Sequence, residues 1–501
     1  MLQFSQVGDD MNKFNWIDKF VNYVSPRAGA QRRAWRELNG SYDAGHYDRV
    51  NNNWRVFNES AEMTDRYSRD TVRARARDLE RNSDMMGALI SAYKRNVVGG
   101  GYHLQAKTGD DELNAQLEGL WTKWCKKQNC DVTGTQSFGQ IIRMCVQRKK
   151  VDGGIIIAKR YTEQGFIPFQ LQLFEVDELD ICQTLPHIQG NKVVGGIEYN
   201  SYNRPEGYFI RQYGIDGITT IEPVWIAAKD IIFYYSKRRP SQVREMPDMS
   251  PTITRIRDTN EFMTAVSVKE RIASCLAVFI KKAVPIAGRN VNSNASQISY
   301  QGKTIAPGMI SELSAGDEIQ VVNPSGQATD AAGYIKLQQR LMGAGQGISY
   351  EATSRDMSET NYSSARQAII EDEMTYSEEC ELLIELLDEI YETFIISCYL
   401  AGLFKEKIKN FWDNKENYFE HLWVKAPKKW IDPYKEANAN RIAIETAQKT
   451  FKQVAAENGL DWKNVIDDTA EVINYAKEKG IDLGGVLFDG KSNIKENNQL
   501  N

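Results

Sequence analysis

The stretch GISYEATSRDMSETNYSSARQ, Gly347 to Gln367, constrains this chain most, because it joins two helix-like segments while sharing the periodicity of neither. A connection of this length without its own secondary structure is uncommon in an ordered protein and is usually functional or disordered. Disorder fits poorly here. Tyr350 and Tyr362 offer packing groups, and Ser363, Ser364 and Ala365 lead into a helix that Ser363 or Ser364 can cap. The segment therefore reads as an ordered polar loop between helices, with an ordinary helix–helix connection as the plain alternative.

At 501 residues the chain is long enough for roughly three domain-sized units with real cores. Its net charge of −5 argues against a protein that grips DNA over its whole surface, and leaves contact at selected places open. Cys125, Cys130, Cys145, Cys182, Cys275, Cys380 and Cys398 are odd in number and scattered. That pattern points to synthesis in a reducing cytosol rather than to a secreted disulfide framework. The opening MLQFSQVGDDMNKF lacks the order of a signal peptide, and the apolar run from Ile272 to Ile280 is too short to cross a bilayer as a helix. A membrane pore is disfavoured.

Up to about Asn96 the pattern is mainly helical, with Leu79, Met86, Leu89 and Tyr93 forming one buried face. Gly99, Gly100 and Gly101 then permit a sharp turn into a strand, YHLQA. A second helix carries Leu117, Leu120, Trp121 and Trp124 as core anchors. From Val151 to about Tyr235 short β-like runs such as GIIIAKRY, FQLQLFEV, GGIEYN and DIIFYY alternate with turns. The acidic EVDELD, Glu175 to Asp180, has the carboxylates of a hard-cation site but no spaced companion ligands, so it reads as a solvated turn.

After Pro251 a helical pattern runs to about Lys282, with Val268, Ile272, Cys275, Leu276 and Phe279 on the side expected to be buried. Ala283 to Met309 holds Lys and Arg but no acid and reads as a small loop-rich projection. A shorter helix, Asp330 to Met342, leads into the polar loop. The next helix, Ser363 to about Leu403, has ten acidic residues and no Lys or Arg between Glu371 and Glu392, with Leu382, Leu383, Leu386, Ile390 and Ile395 facing inward. Asp432 and Pro433 mark a helix start, Gly459 its end, and Asp461 and Gly480 bound one more; the tail beyond Gly490 is expected to be disordered.

Catalytic signatures are weak. GKT, Gly302 to Thr304, matches the end of a phosphate-binding loop, but Gln297 stands where the first glycine is required. Gly343, Gly345 and Gly347 follow a helix rather than a strand, which suits helix termination better than a dinucleotide turn. His46, His103, His187 and His421 lie at no metal-ligand spacing. We therefore expect no enzyme activity, no cofactor and no metal.

Several segments, in chain order, resemble the lambda-like family of tailed-phage portal proteins. They are RARDLERNSDMMGALISAYKRNVVGGGYHLQ (Arg75 to Gln105), VDGGIII (Val151 to Ile157), KRRPSQVREMPDMSP (Lys237 to Pro251), the Gly347 loop, and KKWIDPYKEANANR (Lys428 to Arg441). Two departures stand out: Glu245 and Met246 where the resemblance leads one to expect Gly-Val, and Gly154 where it leads one to expect an acid. The resemblance implies an α+β, mainly helical portal fold. Its parts would be a helical wing part (1–150), a strand-rich wing part (151–250), a first stem helix (251–282), a clip (283–329) and a second stem helix (330–343). A tunnel loop (344–364), a long helix with the wing return (365–429), a helical crown (430–490) and the tail (491–501) would follow.

It further implies a closed, usually dodecameric homo-oligomeric ring at the capsid portal vertex of a virion, made in the host bacterial cytoplasm and carrying double-stranded DNA. The terminase large subunit and head–tail adaptors would dock on the clip, and the major capsid protein would surround the wing. In the loop, Tyr350, Arg355 and Asn361 are the candidates for contact with moving DNA, with Ser349 and Ser358 as weaker donors. On the projection, Lys281, Lys282, Arg289 and Lys303 form the candidate docking set. The alternative is a non-phage structural or scaffolding oligomer whose acidic helix binds basic protein partners.

Overall fold

The computed structural model describes residues 16–39, 53, 56, 58–274, 278–282, 317–321, 330–404, 411–426 and 433–481. The chain divides into two compact units, Met1–Ser60 and Ala61–Asn501. In the first, α1 (Trp16–Val24) and α2 (Pro26–Asn39) are separated by Ser25. Pro26 suits the first helical position because its missing N–H has no partner there in any case. The two helices cross closely at Gly29, where a Cβ would lie 2.5 Å from Asn22 Oδ1.

The second unit opens with α3 (Ala61–Asp65), α4 (Arg69–Asn82) and α5 (Asp84–Tyr93), Ser83 capping α5 by accepting from the Met86 N–H. A π-helical turn, Lys94–Val98, and Gly99 (φ 54°) and Gly101 (φ 104°) redirect the chain into β1 (Tyr102–Ala106). Next come α6 (Asp111–Trp124), α7 (Lys127–Cys130) and α8 (Phe138–Asp152). The strand-rich part comprises β2 (Gly154–Arg160), β3 (Gln170–Phe174), β4 (Lys192–Val194), β5 (Ile197–Tyr199), β6 (Pro205–Ile210), β7 (Val224–Ala227) and β8 (Ile231–Tyr235). They form two antiparallel sheets, ordered β3-β2-β8 and β4-β5-β6-β7. Side chains alternate across a strand. Hence Ile155 and Ile157 of β2 enter the main core while Ile156 and Ala158 enter a second core with Phe174, Ile197, Tyr208 and Ile226.

Four helices and two strands follow: α9 (Ile253–Ser274), β9 (Val278–Lys282), β10 (Asp317–Val321), α10 (Ala331–Gly345), α11 (Tyr350–Ser354) and α12 (Tyr362–Leu400). The chain then passes through α13 (Lys415–Phe419), β11 (His421–Lys425), α14 (Pro433–Glu445), α15 (Phe451–Glu457) and α16 (Trp462–Glu478). Aromatic packing joins these distant segments. Trp124 stacks on Phe169 at 5.2 Å and donates its indole N–H to the Phe169 carbonyl, while Trp121 meets Tyr391 and Phe394 of α12 edge-on. Antiparallel pairing of β1 with β11, Tyr102 opposite Lys425, ties the beginning of the unit to its far end.

Three elements differ from expectation. The helix after Pro251 ends at Ser274, and the β-branched and aromatic run Val278, Phe279, Ile280 is strand, paired with β10. Val268, expected on a buried stripe, is exposed in this chain. The helix from Pro433 breaks in two: Ala447 adopts φ 58°, and Thr450 and Gln453 form a capping box that starts α15. Asp432 lies outside the described residues, as does the tail beyond Gly490.

Three of the α4 arginines, Arg69, Arg73 and Arg77, are committed to acids, while Arg75 and Arg81 are exposed. Arg73 pairs with Asp70, Asp177 and the fully buried Glu245, Arg77 pairs with Asp152, Glu175 and Asp177, and Arg69 pairs with Glu62. The EVDELD segment, with a 3-10 turn at Val176–Glu178, is thus not a solvated turn: Glu175 and Asp177 face this network, while Glu178 is buried on the Glu175 and Tyr213 N–H groups and Asp180 is buried on Arg211. A second ionic cluster joins α8 to α12. The buried ammonium groups of Lys149 and Lys150 both reach Asp248 and Glu379, and Arg238 also reaches Asp248. Burial pushes the Asp248 carboxyl up, but Lys150, Lys149 and Arg238 outweigh it and hold the group below the usual carboxylate range.

A lowered folded-state pKa contributes stability above the unfolded value of about 4 and loses it as pH falls through the folded value. Unfolding monitored by tryptophan fluorescence should therefore show a loss of stability below about pH 4 that is smaller in Asp248→Asn. Equal acid sensitivity in the two proteins would remove Asp248 as a contributor.

Candidate functional site

The loop that joins α10 to α12 is an elbow with a short helix inside it. Asp330 caps α10 by accepting from the Gly333 N–H. At the other end Gly343 leaves no room for a side chain, since a Cβ would lie 2.6 Å from the Ile348 carbonyl oxygen, and Gly347 takes φ 70°. The Ile348 N–H closes the turn onto the Gly343 carbonyl at 2.9 Å. Gln346 is anchored from the core: its carbonyl accepts from the Tyr93 hydroxyl, and its side-chain amide donates to the Asp248 carbonyl and Thr252 Oγ1, both at 3.3 Å.

Ser349 then caps α11, accepting from the Ala352 N–H at 3.2 Å. Its own N–H and hydroxyl donate to the two carboxylate oxygens of Asp372 on α12, at 2.6 and 2.7 Å. Burial raises the Asp372 carboxyl above its ordinary range, against the pull of these Ser349 bonds. The Thr375 hydroxyl adds a bond to the Gly347 carbonyl at 2.5 Å. Two adjacent turns of α12 therefore hold the elbow.

Beyond α11, Arg355 sits in the left-handed region at φ 58° with its N–H on the Glu351 carbonyl. The Tyr350 hydroxyl donates to Asp356 at 3.1 Å, and Asp356 accepts both the N–H and the hydroxyl of Ser358, which holds its carboxyl low. Asn361, rather than Ser363 or Ser364, is the cap of α12, its side chain accepting the Ser364 N–H at 2.9 Å in a reciprocal capping box. α12 itself runs 39 residues, about 58 Å at 1.5 Å per residue.

Of the loop residues singled out from the sequence, Ser349, Ser358 and Asn361 spend their polar groups on local bonds and Tyr350 donates to Asp356. Arg355 is different. Its side chain is exposed and pairs with no carboxylate among the described residues. Sequence reasoning missed two partners on α10. The Lys336 ammonium and the Arg340 guanidinium each lie 5.6 Å from the centre of the Tyr350 ring, within cation–π reach. Lys336 also pairs with Glu359, whereas the exposed Arg340 has no carboxylate partner among the described residues. Their spacing of four places them on one helix face, a signal the sequence does carry.

In the other candidate set, the strand register puts Lys281 opposite Glu318 and Lys282 opposite Asp317, so acids stand across from both. Arg289 and Lys303 lie outside the described residues. Among the described residues, no group of three or more His, Cys, Asp or Glu could hold a metal ion, and no helix is long and apolar enough to cross a membrane.

The sequence profile of the lambda family of phage portal proteins matches residues 47–379, about two thirds of the chain. The chain belongs to that family. Among curated portal-family relatives, the "Probable portal protein" of Halomonas phage phiHAP-1 is 23% identical over 461 residues, covering 89% of this chain and 88% of its own. Portal protein B of Escherichia phage lambda is 20% identical over 441 residues (78% and 81% covered). The portal protein of Escherichia phage N15 is 20% identical over 510 residues (89% and 92% covered). Similar solved chains come from the virion of a native gene transfer agent particle (TM-score 0.41, 12% identity, 77% of this chain and 93% of that one). Another is from the neck of the empty particle (TM-score 0.43, 13% identity, 78% and 94%).

Glu245, where the resemblance leads one to expect Gly, has close local partners. Its carboxylate receives Arg73 at 2.8 Å and Arg244 at 2.7 Å, and its carbonyl accepts from Arg69 Nε at 3.1 Å. Gly153 turns at φ 94°, where a Cβ would fall 2.5 Å from the Met246 backbone, so the turn after α8 and the segment beside Glu245 fit each other only through glycine.

Proposed function

We propose that this chain is a portal subunit, the head–tail connector of a tailed phage, whose copies close into a ring at one capsid vertex and pass double-stranded DNA during packaging and ejection. The family match, which runs from residue 47 through the elbow and along α12, is the observation that carries the reading. In it α9 and α10 act as stem helices, residues 283–329 as the clip that receives the terminase large subunit and later the adaptor, and the elbow as the tunnel loop. The major capsid protein meets the strand-rich region, and residues 430–490 form the crown.

The charge distribution is compatible with a conduit. Lining a channel continuously with Lys and Arg would release counterions at every phosphate and hold DNA strongly, whereas transport needs weak contacts that exchange. Arg340 and Arg355 are exposed cations without a carboxylate partner among the described residues, beside a loop whose polar groups largely bond one another. In this reading they make the sparse phosphate contacts, with Tyr350 as the plate that orients Arg340. Native mass spectrometry of the purified chain tests the ring: one dominant closed assembly of about a dozen copies is expected, in line with symmetric oligomers in general. A monomer at micromolar concentration in low-salt buffer would count against it.

A further inference from the structure

Cys380 and Lys425 form a pair that neither the elbow nor the family match uses. Cys380 lies on α12, one residue beyond the Glu379 that anchors Lys149 and Lys150, and Lys425 ends β11. The Lys425 amine stands 3.2 Å from the Cys380 sulfur. Its other partner is the Asn96 carbonyl, and no carboxylate among the described residues reaches it within ion-pairing distance. The Tyr102 hydroxyl, set opposite Lys425 in the β1–β11 register, donates to the Val97 carbonyl at 2.8 Å, and the Cys380 thiol points to the same carbonyl at 3.7 Å. Sulfur and nitrogen are thus held together by three separate segments.

The other thiols differ. Cys125, Cys130, Cys145 and Cys398 are buried enough that their thiols are pushed up, that of Cys130 to about 12, and nucleophilic attack requires the thiolate. Cys182 is exposed, and among the described residues no lysine amine is bonded to it. Cys380 alone among the described cysteines is half-exposed with an amine in reach.

We infer that Cys380 and Lys425 are a peroxide-responsive cross-linking site that joins α12 to β11 through a sulfenamide bond. In the first step the sulfur, having given up its proton, attacks one oxygen of hydrogen peroxide: an S–O bond forms as the O–O bond breaks, that oxygen keeps its hydrogen to give sulfenic acid, and the leaving hydroxide takes the former thiol proton to become water. The sulfur is oxidised by two electrons and the peroxide reduced by two. In the second, Lys425 as free amine attacks that sulfur, an S–N bond forms as the S–O bond breaks, and the hydroxyl leaves with a nitrogen proton as a second water. One thiol, one amine and one peroxide thus give one sulfenamide and two waters. A thiol reductant reverses it, returning cysteine and lysine. On the portal reading the chain is made in a reducing cytoplasm and later carried in a particle outside the cell, where reductants no longer reverse such a bond.

Brief hydrogen peroxide treatment of the full chain, alkylation of remaining thiols, chymotryptic digestion and mass spectrometry test this. A linked peptide pair joining Cys380 to Lys425 is expected, two hydrogens lighter than the sum of the free peptides. It should be lost on dithiothreitol treatment and absent in Cys380→Ser and Lys425→Arg, while Cys182 gives only unlinked oxidation products. Recovery of Cys380 solely as alkylated thiol, sulfenic or sulfinic acid, or glutathione adduct, with Lys425 unmodified, overturns the inference. Because wild-type protein decides the result, a variant that folds poorly does not affect it.

Discussion

Glu245→Ala is expected to destabilise the larger unit by about 3–5 kcal/mol, the usual effect of stripping one member from a buried ion pair. The side chain is fully buried, and the two guanidinium groups it holds are 4% and 2% exposed. They do not suffer equally. Arg73 keeps Asp70 and Asp177, whereas Arg244 has no other carboxylate within ion-pairing distance among the described residues, feels Glu62 and Asp70 only from farther off, and falls back on the Gly195 and Val176 carbonyls. Arg244 is therefore the charge left without a contacting partner, and most of the cost falls there. A typical domain has only about 5–15 kcal/mol of net stability, so the loss is a large share of the total.

Urea unfolding should show a lower midpoint with an unchanged slope. Replacing both Arg244 and Glu245 by methionine should cost less than Glu245→Ala, because apolar groups of similar volume in place of a buried pair are often neutral. A double variant as unstable as the single one would show that packing, not charge, is what Glu245 contributes.

This cluster also marks the boundary of what the sequence discloses. Local chemistry is legible: the glycines after Val98 turn the chain into β1, Asp461 caps α16 through the Lys463 N–H, and the β-branched run at Gly154–Ala158 is a strand buried on both faces. Each depends on neighbours within a few positions. What stayed hidden depends on partners far away along the chain. Glu245 looks like an arbitrary turn residue until Arg73, more than a hundred and fifty positions earlier, is folded onto it. Helical spacing carried the first stem pattern past Ser274 because Cys275, Leu276 and Phe279 continue it, yet pairing with β10 decides for a strand at Val278–Lys282.

The same contrast holds at the elbow. A polar connection between two helices is legible, but its short internal helix and the Asn361 cap are not. Nor is its saturation, because Asp372 and Thr375, which hold Ser349 and Gly347, belong to the following helix. The acidic stretch of α12 is likewise legible as a run of charge, but its partners are not. In the fold Asp372, Glu379, Asp388 and Glu389 are assigned to Ser349, to Lys149 and Lys150, to His421 and Trp423, and to Lys159.

The double charge reversal Arg340→Glu with Arg355→Glu is expected to reduce packaged DNA by roughly tenfold or more, if each cation supplies a weak phosphate contact of about 1 kcal/mol that every copy in a ring repeats and that salt screens. Neither guanidinium pairs with a carboxylate among the described residues, so folding should change by no more than about 1 kcal/mol, chiefly from the lost Arg340 contact with the Tyr350 ring. Lys336→Ala is the matched control, since that ammonium is already committed to Glu359 and its loss takes no free cation from the elbow. DNase-protected DNA in particles, measured beside thermal unfolding and native mass of the purified variants, separates passage from assembly. Full packaging by the charge-reversed protein would take Arg340 and Arg355 out of the DNA path, while a normal ring with empty heads would place them in it.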